Sequence, residues 1–301
     1  LFILTFEYID PDEMLKSEDF RFVERFLQST RRTEIGWHYA ADITWIYSRV
    51  KRWPRGYRIL DAGGGGGPLQ FLLAELGFQV TNIDMVLPEP LPVHVERYGL
   101  TRRQLSHFTE TSYAGYIRRV SRFGGWPLLK RVIRALRAMS YAPHHDRWRS
   151  DAGLRDVRIG RIEWIAGNLC DLREIPAGSF DAVVSLSALE HIPIERLGTA
   201  LSEISRVLTS SASWAVTTSG TDRATSWFHE PAQGWCYSEA DLRSRFGAVS
   251  ARDQDPAQVL ERYRECTYLK DHLADFYRRG ANNGMPLGVW DPKYIPVGLS
   301  R

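Results

Sequence analysis

The chain has 301 residues, 44% hydrophobic and 25% charged, with 39 Lys+Arg against 36 Asp+Glu and a formal net charge of +3. That balance belongs to a folded globular protein and excludes a mainly disordered one, which carries fewer apolar and more charged residues. No apolar run approaches the roughly 20 residues of a membrane-spanning helix. The near-neutral charge, with no nucleic-acid module, points away from nucleic acid as a partner. Cys170, Cys236 and Cys266 are odd in number and widely spaced, which fits neither a disulfide framework nor a zinc site. A reducing cytoplasm is the expected location.

Taken in chain order, Asp10-Pro11-Asp12-Glu13 places a capping carboxylate, a proline for the first turn and an acid three positions on. Phe20, Val23, Phe26 and Leu27 follow at helical spacing. A second, aromatic helix is expected from about Trp37 to Val50, ended by Pro54 and Gly56. Tyr57 to Ala62 then reads as a strand, five glycines and Pro68 as a turn, and Leu69 to Leu76 as a helix closed by Gly77. Phe78 to Asp84 alternates as a second strand, which completes a strand–turn–helix–strand unit of a parallel sheet. Further strands are expected over 161–166, 180–186 and 213–218, with helices over 194–208 and 238–246. Residues 85 to 160 are far too many for an ordinary connection, so they read as an insertion.

The chemistry is concentrated in Leu60-Asp61-Ala62-Gly63-Gly64-Gly65-Gly66-Gly67-Pro68. A strand ending in a carboxylate, followed by glycines, brings backbone amides close to a ligand without side-chain interference. The dinucleotide pattern G-x-G-x-x-G fails in both registers, because the third glycine falls on Pro68 or Leu69. Asp61-x-Gly63-x-Gly65-x-Gly67 is complete.

With that motif the sequence resembles the class I S-adenosylmethionine-dependent methyltransferases, in their small-molecule branch. Asp84 stands where the family grips both ribose hydroxyls, and a carboxylate can accept from both hydroxyls of a cis-diol. Gly167-Asn168-Leu169-Cys170-Asp171 is similar to the adenine-binding turn, with Asn168 at a commonly acidic position. The stretch from Phe180 to Ile192 resembles the fourth-strand motif, and Ser205-Arg206-Val207-Leu208 precedes the fifth strand. The likeness covers residues 57–219 apart from the insertion. It implies an α/β, Rossmann-like, doubly wound and mostly parallel seven-stranded sheet. It also implies a helical cap over 1–56, a methyltransferase domain over 57–301 and a basic helical insertion at about 86–160. S-adenosylmethionine is the implied cofactor, held by Asp61, Gly63, Gly65, Gly67, Asp84, Met85, Asn168, Leu169 and Ser185.

Methyl transfer to a hydroxyl also requires a proton acceptor. His191, just past the fourth strand, is the first choice, with His38 and His229 in reserve. Glu190-His191 invites a metal reading, but the acid that would complete it falls on Ser187, so no metal is expected. Trp37, His38 and Tyr39 before the core, and Trp227, His229 and Trp235 after it, are candidate acceptor walls. The expected acceptor is a small molecule or glycan, met in natural-product or cell-surface polysaccharide biosynthesis.

Between Tyr113 and Arg137 lie seven basic residues, Arg118, Arg119, Arg122, Lys130, Arg131, Arg134 and Arg137, and no acid. Leu128, Leu129, Val132, Ile133, Leu136 and Met139 form an apolar stripe beside them. Such a helix suits a solvated cover, a phosphate-bearing acceptor or peripheral contact with an anionic membrane. Two other classes stay open: a catalytically silent scaffold on the same fold, and an NAD(P)-binding oxidoreductase, which the glycine spacing disfavours.

Overall fold

A computed structural model describes residues 3–30, 35–109, 141–274, 277, 285 and 288–301. The chain opens with a strand, β1 (Leu4–Tyr8), followed by helices α1 (Pro11–Lys16), α2 (Glu18–Ser29) and α3 (Tyr39–Val50). Asp10 caps α1 as its sequence predicts, its carboxylate accepting from the Asp12 and Glu13 amides. Then come β2 (Arg58–Ala62), α4 (Leu69–Glu75), β3 (Gln79–Asp84), α5 (Pro92–Tyr98) and β4 (Thr101–Gln104). After them run α6 (Tyr141–Asp151), β5 (Ile162–Ala166), β6 (Phe180–Leu186), a single 3-10 turn at Leu189–His191, α7 (Leu197–Val207) and β7 (Leu208–Gly220). The chain continues through β8 (Trp227–His229), β9 (Gly234–Cys236), α8 (Glu239–Phe246), β10 (Ala248–Ser250), α9 (Pro256–Glu265), α10 (Thr267–Asp271) and β11 (Ile295–Ser300). Ser238 caps α8 through the Asp241 amide, again as expected.

The main sheet has nine strands in the order β10-β1-β11-β7-β6-β2-β3-β5-β4, and β8 and β9 form a separate hairpin. It is parallel except at β11, which runs antiparallel to both β1 and β7. The count of seven expected from the family likeness is therefore two short, and β1 and β4 are strands that local pattern did not announce. β1 lies within the stretch read as a purely helical cap. It pairs with β11 almost 300 residues away, Thr5 opposite Ser300, so its partner leaves no local trace. β4 is Thr-Arg-Arg-Gln, exposed throughout, and is held by pairing with β5 at the sheet edge. Arginines at an edge suit it, since charge discourages pairing with another chain.

Alternation along the central strands buries both faces. Leu60, Ile83, Ile165, Val183 and Val216 pack on one side, with α7, α8 and α9. Ile59, Val80, Ile162, Trp164 and Val184 pack on the other, with α2, α3 and α4. On that second side Glu75, fully buried at the end of α4, gathers two guanidinium groups and an imidazole. Arg97 Nε lies 2.6 Å, His145 Nε2 2.9 Å and Arg149 Nη1 2.6 Å from its oxygens. Tyr98 donates a further bond of 3.0 Å. Arg149 also donates to the carbonyls of Leu154 and Val157, so one carboxylate ties α5, α6 and the loop after α6 to the back of α4.

The basic stretch 118–137 and its apolar stripe lie outside the described residues. Among the described residues no helix is long and apolar enough to cross a membrane.

From β2 the chain steps outward to β3 and β5, and from β6 it steps the other way to β7. The reversal falls between β2 and β6. In open parallel sheets the crevice past the strand ends at such a point is where ligands bind.

Candidate active site

Two turns emerge at that crevice: the glycine turn after β2 and the segment Ser187–His191 after β6. Gly63 and Gly65 have φ of +79° and +49°, a left-handed backbone that glycine adopts without strain. The turn is braced from beneath by side chains. Asn82 donates to the Gly65 carbonyl at 2.6 Å, and Gln70 donates to the carbonyls of Gly65 and Gly67 at 3.1 and 3.2 Å. Trp164 in turn fixes Gln70 through its indole N–H. These carbonyls face the protein, which leaves the outer surface of the turn to amides and bare Cα atoms.

Asp84, at the end of β3, accepts from the Gly65 amide at 3.0 Å through one oxygen and from the Val86 amide at 2.8 Å through the other. Each oxygen keeps a lone pair, so the carboxylate can still accept two ligand hydroxyls. Burial raises its pKa, opposed by those amide bonds and by His191 nearby. Met85 beside it is one of the few exposed large apolar side chains.

Asp61 is unlike every other acid among the described residues. It is buried, and neither carboxylate oxygen has a hydrogen-bond partner. Any side chain at Gly64 would overlap it, so the carboxylate forms the floor of the glycine turn. Burial, and then the charge of Asp84, push its pKa up to about 7. A buried polar group without a partner is costly and marks where something else is meant to bind. A cation against Asp61 would stabilise the ionised form. Binding of S-adenosylhomocysteine, through its ammonium group, is therefore expected to release a proton below pH 7. Its affinity should fall on the order of tenfold per pH unit as pH drops below about 7. Calorimetry across pH 5–8 checks this, and a flat profile would remove Asp61 from the ammonium's surroundings.

Across the glycine turn, Leu169 is buried and approaches Gly63. Asn168 accepts from the Cys170 amide at 2.9 Å through its side-chain oxygen. That oxygen, expected to face a ligand amino group, thus already holds the turn, and the amide N–H donors are the groups left over. Ser185 is fully buried and donates to the Ala62 carbonyl at 2.7 Å, locking β6 to the end of β2.

The turn after β6 carries a second set. Ser187 has φ +48° and Gln233 has φ +53°, the two non-glycine residues with left-handed backbone among those described. Such strain gathers where the surroundings hold a site in place. Glu190 is buried and accepts from three hydroxyls: Ser187, Thr218 and Ser219, the last two at 3.2 Å. His191 is exposed, and its Nδ1 lies 2.9 Å from the Gln233 carbonyl. That carbonyl can only accept, so Nδ1 carries the hydrogen and Nε2 of the neutral ring is a lone-pair acceptor. No group of three or more His, Cys, Asp and Glu that could hold a metal occurs among the described residues.

Of the candidate acceptor walls, three converge on Tyr294, and a fourth, Trp227, packs on one of them. Trp37 donates to its hydroxyl at 3.0 Å, and the rings of His38 and His229 each lie 5.5 Å from its ring. Trp227 stacks edge-on with His229 at 5.1 Å. Tyr39 instead packs with the helices on the other face of the sheet. Trp235 pairs across the hairpin with Phe228, on the face opposite Trp227 and His229. Three participants lie outside the motifs read from the sequence: Tyr294, the hydroxyls around Glu190, and Asp42. Asp42, four residues after His38, binds its Nδ1 at 2.7 Å. An i,i+4 His/Asp pair on one helical face is a signal that could have found it.

Residues 128–215 match the family model described as a methyltransferase domain, a span that runs through β5 and β6 into β7. Among solved structures, an Anabaena variabilis protein assigned to antibiotic biosynthesis is 17% identical, covering 61% of this chain and 48% of its own, with a TM-score of 0.33. The chain thus spans about half the length of that relative. The [4+2]-cyclase SpnF is 16% identical over 93% of this chain and 92% of its own, with a TM-score of 0.46. The Burkholderia thailandensis 1,6-didemethyltoxoflavin-N1-methyltransferase is 15% identical over 97% and 89%, with a TM-score of 0.42. No curated protein matches the chain.

Proposed function

We propose that the chain is a class I S-adenosylmethionine-dependent methyltransferase and that it methylates a hydroxyl of a small-molecule or glycan acceptor. The observation that carries this reading is the pairing of a glycine turn, floored by the unpartnered Asp61 carboxylate, with Asp84 at the next strand end. When bound, the donor supplies an electrophilic methyl group on a positively charged sulfur. Asp84 would hold its ribose and Asp61 its ammonium. Gly63, Gly65 and Gly67 would take its body, and Met85, Asn168 and Leu169 its adenine, with Ser185 holding the strand ends together.

In-line transfer asks the protein chiefly for orientation, and a hydroxyl acceptor also has to lose a proton. His191 suits that task, since its Nδ1 is engaged by Gln233 and its Nε2 is free to accept. His38, Trp227 and His229 would line the acceptor side. A second reading of the base rests on the buried His38–Asp42 pair at 2.7 Å, in which the carboxylate orients the ring.

The two readings separate in one experiment. Wild type is incubated with methyl-labelled donor and a panel of phenols, sugars and aliphatic alcohols, and products are read by mass spectrometry. His191→Ala is expected to lower turnover on the order of 100-fold while donor affinity holds. A loss confined to His38→Ala moves the base to the dyad, and transfer only to nitrogen or carbon overturns the hydroxyl reading.

A further inference from the structure

Beside Tyr294 stands a buried histidine with cations near it. His229 is 6% exposed, and its Nδ1 is buried with no partner. Its pKa is lowered, first by burial and then by the charges of Lys293 and Arg223, so the ring is neutral near pH 7. The groups around it are Trp227 on its own strand, Tyr294 and Lys293 from the segment before β11, and Arg223 from the loop before β8.

The two cations differ. Lys293 is paired with Asp291 at 2.5 Å. Arg223 makes no ion pair among the described residues. Its guanidinium lies 4.2 Å above the centroid of Trp227. Thr221 fixes that arrangement from below, accepting from the Trp227 indole at 3.0 Å and from the Arg223 amide at 3.2 Å. A guanidinium held over an indole face by cation–π attraction keeps N–H donors for an oxyanion. Behind it waits a neutral imidazole whose buried nitrogen lacks a partner.

We propose that Arg223, supported by Trp227 and backed by His229, binds an anionic oxygen group of the acceptor, so that the substrate is an acid carrying a carboxylate or phosphate. This rests on the methyltransferase reading and names the acceptor class within it. An oxyanion there gives Arg223 its missing partner and accepts from a protonated His229.

The test uses inorganic phosphate and acetate as probes, with histidine imidazole nitrogens followed by NMR across pH. Saturating anion is expected to raise the His229 pKa by about one unit, since an adjacent negative charge favours the imidazolium. Arg223→Gln, a change at an exposed side chain, should weaken that anion effect about tenfold or more. A response to both anions supports the general oxyanion site, and a response to phosphate alone narrows the acceptor to phosphorylated molecules. If His229 ignores both anions, or responds equally in Arg223→Gln, the proposal is overturned. Binding of S-adenosylhomocysteine to wild type is measured alongside. Its failure strikes the methyltransferase reading and leaves the anion result standing on its own.

Discussion

Asp84→Ala is expected to lose more than about 100-fold in affinity for S-adenosylhomocysteine while the protein stays folded. The carboxylate offers two charged acceptors to a ribose diol, each worth about 1.5–3 kcal/mol against a neutral ligand hydroxyl. Together they come to about 3 kcal/mol or more, which is the stated factor. The same oxygens accept from the Gly65 and Val86 amides, so the substitution also slackens the glycine turn. Both effects weaken donor binding, and neither reaches the core. Asp84→Asn keeps one acceptor oxygen and should lose about 10-fold. Calorimetry gives the affinities and circular dichroism the fold. Retained affinity in the alanine variant would contradict the assigned donor pose.

The largest expected effect on stability belongs to Glu75→Gln. Glu75 is fully buried, and its hydrogen bonds and ion pairs with His145 and Arg97 outweigh the cost of burial, holding its pKa down to about 2. The amide keeps the shape and removes the charge, leaving Arg97 and Arg149 without their buried counter-charge. Breaking a buried pair from one side costs about 3–5 kcal/mol. For a chain of this size that is a fall in Tm of roughly 5–8 °C. The sign with pH follows from the depressed pKa. The ionised Glu75 stabilises the fold fully above its ordinary value of 4.5, and that stabilisation is lost as pH falls through about 2. The gap between wild type and variant in urea unfolding should therefore be constant above pH 5 and shrink toward pH 2. A gap that stays constant down to pH 2 would show that folding leaves the Glu75 pKa unshifted.

What could be read from the sequence was what local pattern encodes. The glycine turn, the acid that ends β3 and the buried run Phe180–Leu186 each announce themselves within a few residues, and each falls where expected. The caps at Asp10 and Ser238 are equally local. The rest depends on partners far apart in the chain. β1 exists because β11 lies beside it, and β4, polar throughout, exists because β5 offers an open edge. Gln70, Asn82 and Trp164 carry no motif, yet together they hold the glycine turn rigid. Trp37 looked like a free acceptor wall. Instead it is buried, donating to Tyr294, 257 residues further on. Ser185 was expected among the cofactor contacts, and its hydroxyl is already engaged with Ala62.

The central claim is that the glycine turn and the ends of β2 and β3 hold the methyl donor, and a crystal structure with S-adenosylhomocysteine tests it most directly. The account predicts the ribose hydroxyls on Asp84, the ammonium group against Asp61 beneath Gly64, and the adenine between Met85 and Leu169. A ligand bound elsewhere, or Asp61 left without a partner in the complex, would contradict it.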